Sequence, residues 1–185
     1  MVSLTASWAP IVLSAVIVFV ASSIMHMLLP YHQSDCRQLP DEDNLRATLR
    51  AAGLKQGLYM FPYGSHKDMK SPAMQEKFKQ GPVGMMTVLP SGPPALPKFL
   101  AMWFVYCLVI GFFTAYLTAH TVSPGANYLV VFRGAGTAAF MSYGLGQLSN
   151  GIWKGQPWSM TIKEVVDGLV YGLLTAGTFG WLWPR

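Results

Sequence analysis

Four apolar runs, separated by polar segments, constrain this chain more than any other feature. They cover residues 8–30, 99–120, 128–148 and 165–183. A helix rises about 1.5 Å per residue and the hydrocarbon core of a bilayer is about 30 Å thick, so roughly 20 apolar residues cross it. The pattern predicts an all-α membrane protein with four transmembrane helices, at 8–30, 98–120, 127–149 and 165–184. A small α+β cytoplasmic loop domain at 31–97 lies between the first two, and an interfacial loop or helix at 150–164 precedes the last. Charged residues make up 11% of the chain, well under the roughly 25% of soluble domains.

The charges are segregated, and this sets the expected topology. Nine of the thirteen Lys and Arg lie between residues 31 and 98, and Lys154 and Lys163 lie between the third and fourth runs. The tail before Trp8 and the 121–127 turn carry none. By the positive-inside rule the Lys/Arg-rich loops are cytoplasmic and both termini face outward, in a multi-pass protein of the inner (cytoplasmic) membrane. The first loop slightly exceeds the length over which the rule is strongest, but the short 150–164 loop agrees with it. The formal charge of +5 then serves orientation and attraction to anionic lipid. Nucleic acid is not an expected partner, because the same loop carries Asp35, Asp41, Glu42, Asp43, Asp68 and Glu76. The opening Met-Val-Ser-Leu-Thr-Ala-Ser has no basic residue and its apolar run exceeds that of a signal peptide, so a retained anchor is expected. Trp8 and Tyr31 bracket it as interfacial aromatics.

The 31–97 segment is patterned. Pro40-Asp41-Glu42-Asp43, then Leu45, Leu49 and Gly53, marks a helix with acids at its positive end, Arg46 and Arg50 towards the other, and a glycine stop. Residues 57–62 (GLYMFP) and 83–89 (VGMMTVL) read as two short strands, with a helix over 72–79 between them. Residues 90–97 (PSGPPALP) form a stiff linker. So small a segment buries little and is expected to rest on the bundle's cytoplasmic face. Trp, Ile, Lys and Gln mingle over 152–164, which predicts a short surface helix starting near Pro157, with Ser159 or Thr161 at its cap.

Small residues recur at helical spacing in the third and fourth runs. Gly168, Gly172, Ala176 and Gly180 form an i, i+4 stripe, and Gly134 with Ala138, and Ser142 with Gly146, do the same on the third. In lipid such residues let backbones approach closely. The stripe predicts close docking, either of the third helix on the fourth or of a partner.

Few residues carry chemistry. Arg133 is the one basic residue well inside an apolar run, and intramembrane charge is costly. It lies about 8 Å in from the outer side, too far from Asp167 for an ion pair, so snorkelling outward or a bond to a carbonyl near Pro124 is expected, with an anion site or a salt bridge to another subunit as the alternative. Asp167, near the start of the fourth run, reads as an interfacial first-turn acid favoured by the helix dipole. His26, His32, Asp35 and Cys36 cluster near the inner interface as ligand types for a metal, with His66 able to fold back onto them. Ser22 lies one turn before His26, and this pair is similar in spacing to bacterial antenna helices. The resemblance covers two residues and implies a bacteriochlorophyll-type pigment on His26. Cys36 and Cys107 make no CxxC, and the chain lacks HExxH, GxSxG, Walker and GxGxxG signatures.

No catalytic residue is assigned. The pattern points to a non-catalytic accessory or assembly subunit of a larger membrane complex, of the respiratory or photosynthetic kind, with other membrane subunits and lipid as partners and a bound lipid or pigment as cofactor. The alternatives are a small oligomeric transporter or channel, in which Arg133, Tyr143, Gln147 and Asp167 line one path, and a metal- or pigment-binding protein using His26.

Overall fold

The computed structural model describes residues 2–184. In chain order it forms α1 (Trp8–Met27), α2 (Glu42–Ala51), strand β1 (Gly57–Phe61), α3 (Pro72–Gln80), strand β2 (Gly84–Val88), α4 (Leu96–Thr121), α5 (Tyr128–Tyr143), α6 (Leu148–Trp153) and α7 (Trp158–Leu182). These divide into two units: Met1–Asp35 with Ala95–Arg185, and Cys36–Pro94.

In the first unit, three helices are long and apolar enough to cross a membrane. They are α1 with its leading 3-10 turn (Leu4–Met27), α4 and α7, with mean hydropathies of 2.2, 2.0 and 1.3. The third apolar run differs from the expectation of one long helix. α5 has 16 residues, about 24 Å, short of a roughly 30 Å core. It stops at Gly144, where the chain tightens into a 3-10 turn over Leu145–Gln147 before α6. Gly144 precedes that turn and Gly146 lies within it, and glycine is the weakest helix former after proline.

The expected surface helix is corrected too. The helix that starts near Pro157 is not a separate element: it is the start of α7, which runs unbroken from Trp158 to Leu182. Proline cannot sit inside a helix but suits its start, and Pro157 stands immediately before Trp158. Neither Ser159 nor Thr161 caps it. Thr161 lies within the first turns, where its hydroxyl donates to the Pro157 carbonyl (3.3 Å). Asp167 is therefore the tenth residue of α7 rather than a first-turn acid, and the dipole argument does not reach that far.

α5 and α7 pack most intimately. A methyl added at Gly172 would come within 3.1 Å of the Phe140 backbone, one at Gly136 within 2.9 Å of Ala176 Cβ, and one at Gly180 within 2.7 Å of the Tyr128 ring. Gly168 lies directly against the Gly144 backbone. The α5 side of this seam is thus Tyr128, Gly136, Phe140 and Gly144. Gly134 instead faces Val122, and Gly146 has nothing near its missing side chain. Gly134 and Gly136 are two residues apart and so point to nearly opposite faces of α5, and periodicity alone cannot say which face meets a neighbour. Val131, Ala135, Ala139 and Tyr143 form the buried face of the same helix. They join two apolar clusters, one around Ala115, Val131 and Phe179, the other around Val18, Cys107, Tyr143 and Tyr171.

The second unit is a small α+β module. β1 and β2 pair antiparallel, with Tyr59 opposite Met86. Ser71 caps α3, its hydroxyl accepting from the Met74 amide (3.3 Å). Acids open α2, and Gly53 follows its end at φ +67°. Among the described residues of this unit, Met74 is the one buried hydrophobic side chain.

Candidate functional site

The site forms where the chain leaves α1 and meets the first half of α7. α1 ends at Met27, and Pro30, which cannot extend a helix, opens a 3-10 turn over Pro30–His32. That turn carries Tyr31 and His32 back towards α7, and Asp35 follows with its amide bonded to the His32 carbonyl (3.0 Å). On α7, Lys163, Asp167 and Tyr171 recur every four residues and so share one face.

Asp167 is the hub. It is 3% exposed and accepts from the Tyr31 hydroxyl. Its Oδ2 lies 2.8 Å from His32 Nε2 and 3.7 Å from His26 Nε2. Each imidazole is anchored through its other nitrogen. His32 Nδ1 is 2.5 Å from Asp35 Oδ2, and His26 Nδ1 is 3.1 Å from the Ser22 carbonyl oxygen. The two rings stack at 4.2 Å. Lys163 Nζ ties the turn down by donating to the Tyr31 carbonyl (2.5 Å), Ser34 Oγ (2.8 Å) and Asp35 Oδ1 (2.6 Å).

Electrostatics follow from these distances. The hydrogen bond from Lys163, then that from His32, holds the Asp35 carboxyl below its ordinary range. Burial, reinforced by Asp167, pushes the Tyr31 phenol up, so Tyr31 stays a neutral donor. Asp35 and Asp167 bring two negative charges, and Lys163 one positive charge. His32 sits between two carboxylates, and both of its nitrogens face acceptors. A neutral imidazole has one N–H, so these contacts call for one more proton within the cluster or for a bound cation. His26 Nε2, His32 Nε2 and an Asp167 oxygen lie within 4.8 Å of one another, a spacing that can hold a metal ion.

A cavity of about 440 Å³ adjoins the cluster. His26, Asp167, Glu164 and Gln147 line its polar part, and Trp103 and Phe99 its apolar part.

The expected ligand set is only partly assembled. His26, His32 and Asp35 come together, but Cys36 belongs to the other unit and is exposed. His66 lies in that unit as well. Asp35 contacts His32 rather than joining the three converging atoms. At His26, the expected pigment position, Nε2 faces the Asp167 carboxylate at 3.7 Å and the His32 ring stacks on the imidazole. Ser22, one turn before His26, accepts from Trp103 Nε1 (2.8 Å). Arg133 is exposed and enters no ion pair among the described residues. Tyr143, Gln147 and Asp167 line this cavity, and Arg133 is not among its lining residues.

Sequence reasoning missed Tyr31, Lys163 and Tyr171. The four-residue spacing of Lys163, Asp167 and Tyr171 was the available signal for a polar face on α7. Comparison with known proteins finds no match: no family model, no curated protein and no solved structure resembles this chain.

Proposed function

We propose that this is an integral membrane protein built around a first-row transition-metal site held by His26, His32 and Asp167. One observation carries the reading: two imidazole Nε2 atoms converge on one buried carboxylate while each Nδ1 is held from behind. Metal-binding histidines are oriented in this way, through the second ring nitrogen, by a carbonyl or carboxylate. Two nitrogens and one oxygen suit Zn²⁺ or Fe²⁺ better than Ca²⁺ or Mg²⁺. Tetrahedral bonds of about 2.1 Å separate ligand atoms by about 3.4 Å, between the 2.8 and 3.7 Å that His32 and His26 keep from Asp167. Three protein ligands are the mark of an open, reactive centre rather than a closed structural one. His26 and Asp167 also line the cavity, where a ligand completing the coordination would sit.

The test is metal analysis of detergent-purified protein. One divalent ion per chain is expected, lost in Asp167→Asn and His32→Ala while the helical circular dichroism persists. Protein that purifies metal-free and takes up neither Zn²⁺ nor Fe²⁺ at micromolar concentration overturns the reading and leaves a hydrogen-bonded polar cluster.

In this reading α5, the turn after it and α6 together make a fourth, broken crossing. Both termini lie outside the inner membrane and residues 31–97 are cytoplasmic. Labelling should reach Ser3→Cys from outside and Gly92→Cys only from the cytoplasm.

A second reading, an accessory or assembly subunit of a larger complex, is favoured by a different observation. In their apolar windows α1 and α4 are each 28% buried, against 44% for α7. Two helices thus leave most of their surface for lipid or other subunits. Native mass spectrometry from mild detergent tests it, and a lone monomer without co-purifying protein counts against it.

A further inference from the structure

The β1–β2 hairpin is apolar on both faces. Side chains alternate along a strand, so Tyr59, Met86 and Val88 share one face, which is half-buried. Leu58 and Met60 share the other face with Met85 and Thr87, and Val83 and Leu89 continue that row at the two ends of β2. The five apolar side chains of this second face are 40–72% exposed. An antiparallel sheet in water keeps polar residues on its open face, and here Thr87 is the one polar member. A contiguous apolar patch left open in this way marks an interaction surface.

Charge says what covers it. From residue 44 to residue 94 there are seven Lys and Arg against two Asp and Glu. Both acids already accept hydrogen bonds, Asp68 from Ser65 and Glu76 from Gln80. Arg50, Lys55, Lys67, Lys70, Lys77 and Lys79 enter no ion pair among the described residues. Lys55 stands two residues before β1, and Lys77 and Lys79 lead into the turn before β2. Lys77 shares a shallow groove with Phe61 and Pro82 at the same end of the hairpin. Free cations flanking an apolar surface suit the boundary of an anionic bilayer. The chain holds the surface close to one. β2 ends at Val88, and α4, which is long and apolar enough to cross a membrane, starts at Leu96. The connection from Leu89 to Leu96 reaches at most about 25 Å. A protein partner is disfavoured by size, because five side chains fall well short of the roughly 20–30 residues a side in a stable interface.

We propose that the face formed by Leu58, Met60, Val83, Met85 and Leu89 docks onto the anionic leaflet of the bilayer that the long helices cross. Its apolar side chains enter the boundary between headgroups and acyl chains, and the flanking lysines meet anionic headgroups. Docking of this face uses none of His26, His32 and Asp167, so chelator treatment leaves it unchanged.

The test uses full-length protein, one copy per nanodisc, with Cys36→Ser as background and the buried Cys107 left in place. Met60→Cys carries an environment-sensitive fluorophore, and the lipid carries a nitroxide near its headgroup. In nanodiscs of phosphatidylcholine with phosphatidylglycerol, at least about half of the emission should be quenched, since interfacial segments insert about 5–10 Å. Pure phosphatidylcholine or high salt should reduce the quenching without any change to the protein. Leu58→Ser with Met85→Ser keeps the tether and removes apolar surface that is already exposed. It should lower the ratio of docked to free unit at least about tenfold, with the helical circular dichroism unmoved. A label that stays in water in the anionic nanodiscs overturns the proposal. So does one that is shielded from water but not quenched, which would assign the face to protein. Equal quenching in the Leu58→Ser, Met85→Ser variant, or in neutral lipid, also overturns it and leaves mere nearness to the membrane.

Discussion

The helical unit and the 36–94 unit use the same residue types to opposite ends. Glycine in α7 is there for what it lacks: Gly168, Gly172 and Gly180 put the helix backbone against α5. Glycine in the other unit is there for what it permits: Gly53 turns the chain at φ +67° with nothing near its missing side chain. Polar groups divide likewise. Asp167 is buried and satisfied by residues more than 130 positions away, whereas Asp68 is bonded by its neighbour Ser65. Where hydrocarbon surrounds a chain, order comes from close packing and converging polar groups. Where water does, local capping and turn chemistry carry more of it.

The sharpest way to break this contrast is Gly168→Leu. The new side chain would be driven into the backbone of Gly144, which cannot rotate away as a flexible side chain can. A loss of about 3 kcal/mol or more is expected, the upper end of overpacking penalties, read as failure to yield a monodisperse helical protein in detergent. Gly180→Ala meets only the Tyr128 ring and should cost distinctly less. Comparable losses at the two positions would show that the seam is not set by backbone contact.

Next in size is Asp167→Asn. The side chain keeps its shape but loses the charge that accepts from Tyr31 and faces both histidines. Hydrogen bonds to a buried charge are worth about 2 kcal/mol, and that loss should appear in unfolding measured with chelator present. Without chelator, bound metal should fall from one per chain to none. Stability unchanged in both conditions would place Asp167 outside any working network.

These two positions also mark how far the sequence could be read. Gly168 sits in a repeating row, and a row is visible in one dimension. Its partner on α5 was not, because Gly134 and Gly136 point to nearly opposite faces of that helix and only docking chooses between them. The early end of α5 at Tyr143 was hidden for a related reason: hydropathy over 128–148 stays apolar through Gly144 and Gly146, while helix continuity depends on local backbone cost. Asp167 was visible as a charge in an apolar run. Its environment was not, because Tyr31, His32 and Lys163 reach it only after the Pro30 turn and the early start of α7 at Trp158. The ends of α2 and the two strands depend on neighbouring residues, and their spacing was readable to within a residue or two.

In the 36–94 unit the expected effects are smaller. Gly53→Ala forces a side chain into the left-handed region, at a cost of about 1 kcal/mol. Nothing crowds the position, so the loss should stay local: faster amide exchange over residues 42–51 with the unfolding of α1, α4 and α7 unmoved. A drop in the midpoint of the helical unit would mean that the two units fold as one.

Ser65→Ala is the finest probe. The Asp68 carboxylate accepts from Ser65 Oγ (2.6 Å) and from the Ser65 amide (3.0 Å), which together hold it below its ordinary range, the hydroxyl contributing most. A carboxyl with a lowered folded value stabilises above the unfolded value of about 3.9, and that contribution fades as pH falls through the folded value. Removing the hydroxyl leaves only the amide, so the Asp68 side-chain titration, followed by NMR, should move upward towards the ordinary value without reaching it. The site is exposed, so water and salt screen the effect, and the shift should appear in the titration while leaving the metal content and the thermal midpoint of α1, α4 and α7 where they were. An Asp68 titration that stays put would mean that the Ser65 turn is not held by this contact, and that the 36–94 unit orders its chain by some means other than local hydrogen bonds.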